Sequence, residues 1–378
     1  MNSFTADENC ITVDACRLGA TVHVTVGVQA KGFGPPPAQA AEAYRRAAEV
    51  LRAQDAVPVQ ERIFASLACR DDVLQAREEV LGEDWDVDAW PVSYLEGAPV
   101  DAEGLAGVHL TATTVPSQPL RIEGRTVGAI VEHDGSRYVY LTDLRHPGTL
   151  QRTEAVRAMY DQAERYLAAA GCHFREVVRA WVFLADILDW YGEFNCLRTE
   201  AFRRYGLVTD AGPQWLPAST GIQARPPDNS PCSMDLLAIG GSGHHATTVK
   251  SPLQGEAFHY GSAFSRAVAV VEKAGETVYV SGTAAVGCEG QSLGGEDLEQ
   301  QVLHTLDSVE ALIATRGLTL DQFGNATVFL KPGCDAETVR RIFAGRTPRL
   351  LKSIFVRADI CRPELLFEIE GLALNLIP

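Results

Sequence analysis

The chain has 378 residues and is 46% hydrophobic, enough for two or three ordinary domains or one large one. Its 33 basic residues stand against 49 acidic ones, a net charge of -16, so no long-range field attracts nucleic acid or an anionic membrane; an anionic small molecule would need locally placed arginines. The opening MNSFTADENCITVDACRLGA lacks a basic region followed by an apolar run, and no window nears the ~18 apolar residues of a membrane span, which predicts a cytoplasmic protein.

In the first third, KGFGPPPAQAA reads as a loop, AAEVLRAQDAVPVQERIFASLA (47–68) as helix, break and strand, and RDDVLQAREEVLG (70–82) as a second helix. SRYVYLTDL (136–144) is a hydrophobic strand run. After it, AERYLAAAGCHFREVVRAWVFL (163–184) combines an amphipathic helix, a Gly at its C-terminal end, a short connection with a Phe, and a β-rich run ending Val-Phe-Leu. WYGEFNCLRTEAF (190–202) is a further helix, and QARPPDNSPC (223–232) a Pro-rich loop. IGGSGHHATT, which holds His244 and His245, reads as a mobile loop.

The pattern then recurs. ETVYVSGTAAV (276–286) is a strand run, VEALIATRGLTLDQFGNATVFL (309–330) matches 163–184 at an ungapped offset of 146 residues, and DAETVRRIF (335–343) is the second helix. The predicted fold is therefore α+β, three modules of sheet on two helices at residues 1–115, 116–248 and 249–378, the first a degenerate copy. Three unrelated α+β segments are the alternative.

The nine cysteines include no CxxC pair, and their odd number and even scatter suit neither a disulfide framework nor a zinc site. The histidines have no HxxxH spacing, and GxGxxG and GxxxxGK[ST] are both missing, so neither a metal nor a nucleotide cofactor is expected. The closing stretch ICRPELLFEIEG (360–371) alternates: Leu366, Glu368 and Glu370 share one strand face, and Leu365, Phe367 and Ile369 the other. Two carboxylates opposite an apolar face read either as a solvated sheet edge or as an acid aimed into a pocket to handle a proton.

The strings VVRAWVFLADILDWYGEFN, LPASTGI, CSMDLLAI, PLQGEAFHYGSAFSRAV, VYVSGTA and CRPELLFEIEG together are similar to the chorismatases, and the module resembles the RidA/YjgF fold. The resemblance covers about residues 105–378 well and the first third in outline. It implies three RidA/YjgF-like modules fused into a pseudo-trimer, with a site in a cleft between modules. It also implies cofactor-independent cleavage of chorismate to pyruvate and a ring product, in secondary-metabolite biosynthesis. Such a site needs cationic donors for two carboxylates and one acid to protonate the enol methylene.

Carried onto this chain, the resemblance gives Glu368 the proton transfer and Cys361 the choice of 3-hydroxybenzoate as product. Arg179 and Arg341, with Arg198 as a further candidate, are expected to bind carboxylates, Tyr260 to donate its hydroxyl, and Ala284 or Ala285 to form a small wall beside the ring. Glu370 is expected to be structural. An Ala after Ser-Gly-Thr, where this branch is expected to have Gly, keeps the non-aromatic product 3,4-dihydroxycyclohexa-1,5-diene carboxylate open. An imine or enamine deaminase of the RidA type and a non-catalytic binder of aromatic acids are the readings from other classes. Fusion of the modules predicts a monomer or weak dimer.

Overall fold

The computed structural model describes residues 11–29, 34–146 and 151–376. Period-2 runs rich in Val, Ile, Thr and Tyr become strands, and they assemble into three sheets. The first holds β1 (Ile11–Leu18), β2 (Thr21–Val28), β3 (Val57–Ala65), β4 (Val92–Glu96) and β5 (Leu105–Thr113), in the order β1-β2-β5-β3-β4. The second holds β6 (Ser117–Ile122), β7 (Arg125–His133), β8 (Ser136–Leu144), β9 (Val177–Leu184), β12 (Ala218–Gln223) and β13 (Cys232–Gly241), in the order β12-β9-β13-β8-β7-β6; a small hairpin, β10 (Val208–Thr209) and β11 (Gly212–Pro213), stands apart.

The third sheet comprises β14 (His244–Val249), β15 (Ala267–Glu272), β16 (Gly275–Ala284), β17 (Phe323–Leu330), β18 (Ile354–Arg357) and β19 (Phe367–Leu376), in the order β14-β15-β16-β19-β17-β18. The second and third sheets therefore share one topology, and among the described residues the first follows it in its five strands. In each, one edge pair is parallel (β3–β4, β9–β12, β17–β18) and the other pairs are antiparallel.

Two local expectations change. His244 and His245, expected in a mobile loop, open β14, where they pair with Glu272 and Val271; the β-branched run that follows them supplies a strand. The third sheet thus begins ahead of the boundary read after residue 248. Of the loop expected at 31–41, residues 31–33 lie outside the described residues, and Pro36 already starts a helix, its fixed φ suiting the first turn.

The outer face of each sheet packs on its own two helices: α1 (Pro36–Gln54) with α2 (Arg70–Leu81), α3 (Arg152–Ala169) with α4 (Ile187–Arg204), and α5 (Leu298–Ala314) with α6 (Ala336–Arg346). On β19 the alternation sends Phe367, Ile369 and Ala373 to the helices, and Glu368, Glu370, Leu372 and Leu374 to the inner face. The inner faces of the three sheets meet one another. Phe64 of β3, Phe183 of β9 and Phe329 of β17 occupy matching positions, and Phe64 meets the other two edge-on, with centroids 6.2 and 6.1 Å away. Beside this apolar layer lies a buried polar one, with Gln60, Arg62, His109, Arg179, Asp235 and Glu370.

Candidate active site

A cleft opens where β12 of the second sheet faces β16 and β19 of the third, and Glu368 forms part of its wall. The acid is 4% exposed and sits in register between Phe329 and Ala284. The position matching Glu368 faces Phe183 in the second sheet, where it is Ser233, and Phe64 in the first, where it is Gly107. At Gly107 a Cβ would meet Val26 O and the Ile354 side chain, which leaves no room for an acid. Of the three matching positions, only Glu368 carries a carboxyl group.

Burial is the main cause that pushes the Glu368 carboxyl up to about 8, and the neighbouring Glu370 adds to it; Arg179 and Arg266 pull the other way. Near neutrality Glu368 is therefore a protonated acid. Glu370, one pleat further along, is bonded on both oxygens: Arg179 Nη2 donates to its Oε2 at 2.6 Å, Thr220 Oγ1 donates to the same oxygen, and Thr327 Oγ1 donates to Oε1 at 3.3 Å. Thr220 comes from β12 and also accepts Gly282 N–H at 3.0 Å, which ties the two sheets together beside the acid. At Gly282 itself a Cβ would fall on Glu368 Oε1, so this glycine makes the space in which the carboxyl lies.

Cations reach the same cleft from three segments. Arg198 of α4 is 1% exposed; its Nη2 donates to Asn195 Oδ1 at 2.5 Å, and its Nε is buried without a partner. Arg266 donates to Gly255 O from Nε (3.0 Å) and Nη2 (2.6 Å), and Nη2 also reaches Tyr260 Oη at 2.6 Å. Arg362 Nη1 donates to Gly290 O at 2.7 Å and Ser292 Oγ at 3.1 Å. Among the described residues none of the three forms an ion pair with a protein carboxylate. For the two buried ones, Arg198 and Arg266, a desolvated cation without an ion-pair partner is costly unless an anion completes it.

Cys361 lies in the cleft wall with Tyr260 and Tyr191. Burial, with help from Glu368, pushes the Cys361 thiol up to about 12, so it is neutral at physiological pH. Burial likewise raises the Tyr191 phenol to about 12, and its hydroxyl bonds Ser262. Ala284 lines the cleft opposite Glu368, whereas Ala285 is fully buried and outside it.

The expected carboxylate binders need two corrections. Arg179 is 1% exposed behind the cleft, and its charge is already matched by Glu370, so no free edge of it faces a ligand beside Glu368. Arg341 is on the outer surface of α6, 61% exposed and paired with Glu299 at 2.8 Å, because that helix turns this position away from the sheet. Arg266 and Arg362 instead line the cleft beside Glu368. Both lie inside strings that carried the family resemblance, Arg362 directly after Cys361, yet neither has a sequence spacing that marks it: only the folding of the β14–β15 connection and of the segment before β19 brings them to Glu368. Among the described residues no group of three or more His, Cys, Asp and Glu side chains is placed to hold a metal, and no helix is long and apolar enough to cross a membrane.

A family profile described as Endoribonuclease L-PSP matches residues 256–375. A 3-hydroxybenzoate synthase from Streptomyces hygroscopicus is 31% identical over 279 residues, 66% of this chain and 78% of that protein. A chorismatase from the same organism is 25% identical over 242 residues, 58% of this chain and 67% of that protein. A crystal structure of a chorismatase superposes with a TM-score of 0.64 at 20% identity, over 84% of this chain and 92% of that one, a match of fold. With 31% identity over 279 aligned residues, 78% of one such relative, and with the fold match, this chain belongs to the chorismatase family.

Proposed function

We propose that the protein converts chorismate into pyruvate and 3-hydroxybenzoate, with Glu368 as the proton donor. The observation that carries this reading is a buried carboxylic acid, raised by its burial to about 8, in a cleft whose three arginines form no ion pair among the described residues. Chorismate brings two carboxylates, and Arg198, Arg266 and Arg362 supply their counter-charges, with Tyr260 adding a hydroxyl.

Glu368 delivers its proton to the terminal methylene carbon of the enolpyruvyl group, and positive charge develops at the ether-bearing carbon as an oxocarbenium ion. The ring carbon–oxygen bond then breaks, its electron pair forming the pyruvate carbonyl as the neighbouring ring hydroxyl oxygen closes onto the vacated carbon. The hydroxyl proton returns to the Glu368 carboxylate. The resulting epoxide opens, and loss of the ring hydrogen gives the phenol, so no water is consumed overall. The neutral Cys361 thiol borders the ring, excluding water and offering a weak hydrogen bond to the epoxide oxygen; at about 12 it is no thiolate nucleophile.

Ala284 in the cleft wall favours a second reading, in which water adds to the oxocarbenium ion and the diene diol leaves with its ring unaromatised. Proton NMR of every product formed from chorismate tests both: pyruvate with 3-hydroxybenzoate supports the first, pyruvate with the diene acid the second, and the absence of pyruvate refutes both. Loss of 3-hydroxybenzoate in favour of the diene acid on Cys361→Ala would support the role given to the thiol. The protein is further proposed to act as a monomer or weak dimer, its sheets covering one another within one chain; an obligate trimer in light scattering would refute this. The eight described cysteines, all unpaired, suit the reducing cytoplasm.

A further inference from the structure

Among the described residues the first sheet contributes no side chain to the wall of the cleft, yet a line of hydrogen bonds runs from it to the acid pair. Asn325 Nδ2 donates to Thr25 Oγ1 of β2 at 2.5 Å, and Thr25 Oγ1 lies 3.0 Å from His109 Nδ1 on β5. His109 Nε2 is 2.8 Å from Thr327 Oγ1, and Thr327 reaches Glu370 Oε1 at 3.3 Å. A carboxylate oxygen only accepts, so the Thr327 proton goes to Glu370 and the Thr327 oxygen is left to accept from His109 Nε2. That fixes the proton of the neutral ring on Nε2, and His109 Nδ1 accepts from the Thr25 hydroxyl. Every bond in the line points one way, toward the carboxylate. His109, Thr25, Thr327 and Glu370 are all at most 4% exposed, and Phe64 stands edge-on to the imidazole at 6.3 Å, so the ring has little freedom to turn.

We propose that His109 is a positioning residue for the reaction: through Thr327 it holds the Glu370 side chain in place beside Glu368, the proton donor. This rests on the reading of Glu368 as proton donor. It gives the first third of the chain a part in catalysis that its distance from the cleft conceals. The line is a static one; the reaction returns its proton to Glu368 and draws none through His109.

Other groups face the pair from every packed element. On the Glu370 side these are His23 of β2, Arg62 of β3, Tyr140 of β8, Arg179 of β9 and Tyr279 of β16, with Asp235 of β13 acting through Arg62. On the Glu368 side are Tyr191 and Arg198 of α4, Tyr260 and Arg266 before β15, and Cys361 and Arg362 before β19. His109 itself stays neutral, held well below the usual histidine range by burial and by Arg62 and His23. It acts through a dipole, and its own titration is not part of the effect.

The test compares wild type, His109→Gln and His109→Leu. A Gln amide can still donate from near the Nε2 position, whereas Leu cannot. Two readouts are followed against pH: the rate of pyruvate release from chorismate, and the 13C shift of the Glu368 carboxyl carbon in protein without substrate. Without the donor, Glu370 is held less firmly beside Glu368 and adds less to the burial that raises the Glu368 carboxyl. In His109→Leu both the alkaline limb of the rate and the Glu368 titration should therefore move to lower pH by half a unit or more, with kcat falling several-fold and KM little changed. His109→Gln should restore most of both. A folded His109→Leu protein with an unmoved titration overturns the proposal, as does a His109→Gln variant no better than His109→Leu. A shifted titration in a protein that releases no pyruvate would instead refute the proton-donor reading and leave the coupling standing.

Discussion

Replacing Glu368 by Gln should remove activity and, unusually for a buried site, make the protein more stable at higher pH. The carboxyl sits at about 8 against an ordinary 4.5, so at pH 7 roughly nine in ten molecules carry the catalytic proton, where an unshifted acid would keep it in about three in a thousand. The cost falls on folding. Between 4.5 and 8 the folded state retains a proton that the unfolded chain has released, so stability is complete below 4.5 and declines as pH rises through 8, by up to ~1.4 kcal/mol per pH unit. Summed over that window the ceiling is ~5 kcal/mol, reduced in practice by local relaxation and water entry. Gln has nearly the same shape and no charge to desolvate. Urea unfolding of both proteins from pH 5 to 8.5 should therefore give curves that diverge as pH rises, with the variant the more stable. Pyruvate release measured in parallel should fall by at least ~100-fold, the usual share of a general acid. A stability difference that stays flat with pH would refute the assignment of a neutral buried acid, and full turnover by the variant would remove Glu368 from the chemistry.

Gly282→Ala puts a methyl group where the Glu368 carboxyl lies, and displacement of the acid by about an ångström should lower kcat by ~100-fold in a protein that still folds; an unchanged kcat would mean that the space is incidental. Arg266→Met should reduce kcat/KM for chorismate by ~10- to 100-fold, the value of one charge-assisted hydrogen bond, whereas Arg341→Ala, on the outer surface, should leave it unchanged; equal effects from the two would contradict the placement of the cationic groups. Phe329→Ala opens a cavity where the three sheets meet and should cost ~3–5 kcal/mol in denaturant unfolding; a loss below ~1 kcal/mol would show that the sheets do not depend on that contact.

The repeat was legible because it is written in local terms. An amphipathic period, a Gly at a helix end and a β-rich run ending Val-Phe-Leu survive in β9 and β17 even where few other residues match, and the paired Phe183 and Phe329 meet Phe64 as the offset implies. The alternation in Phe-Glu-Ile-Glu likewise told that both acids share a face, since side-chain direction along a strand needs no partner to define it. His244 and His245 were misread because Gly-rich composition spoke for a loop while pairing with β15 made a strand.

By itself the sequence determined the α+β repeat, the family resemblance and the acid on β19. Only the tertiary structure decided which arginines attend that acid. Arg179, on the same kind of inward strand position as Glu368, is consumed by Glu370; Arg341, one helix turn from burial, faces solvent; Arg266 and Arg362 come from irregular segments with no period to read. Only the tertiary structure, too, gave Glu368 its proton, because the shift depends on burial and on charges brought in by two separate sheets. Periodicity is a property of neighbours along the chain. Charge and desolvation depend on neighbours in space, and at this site β9, β12, β16 and β19 supply them from positions up to 191 residues apart in sequence.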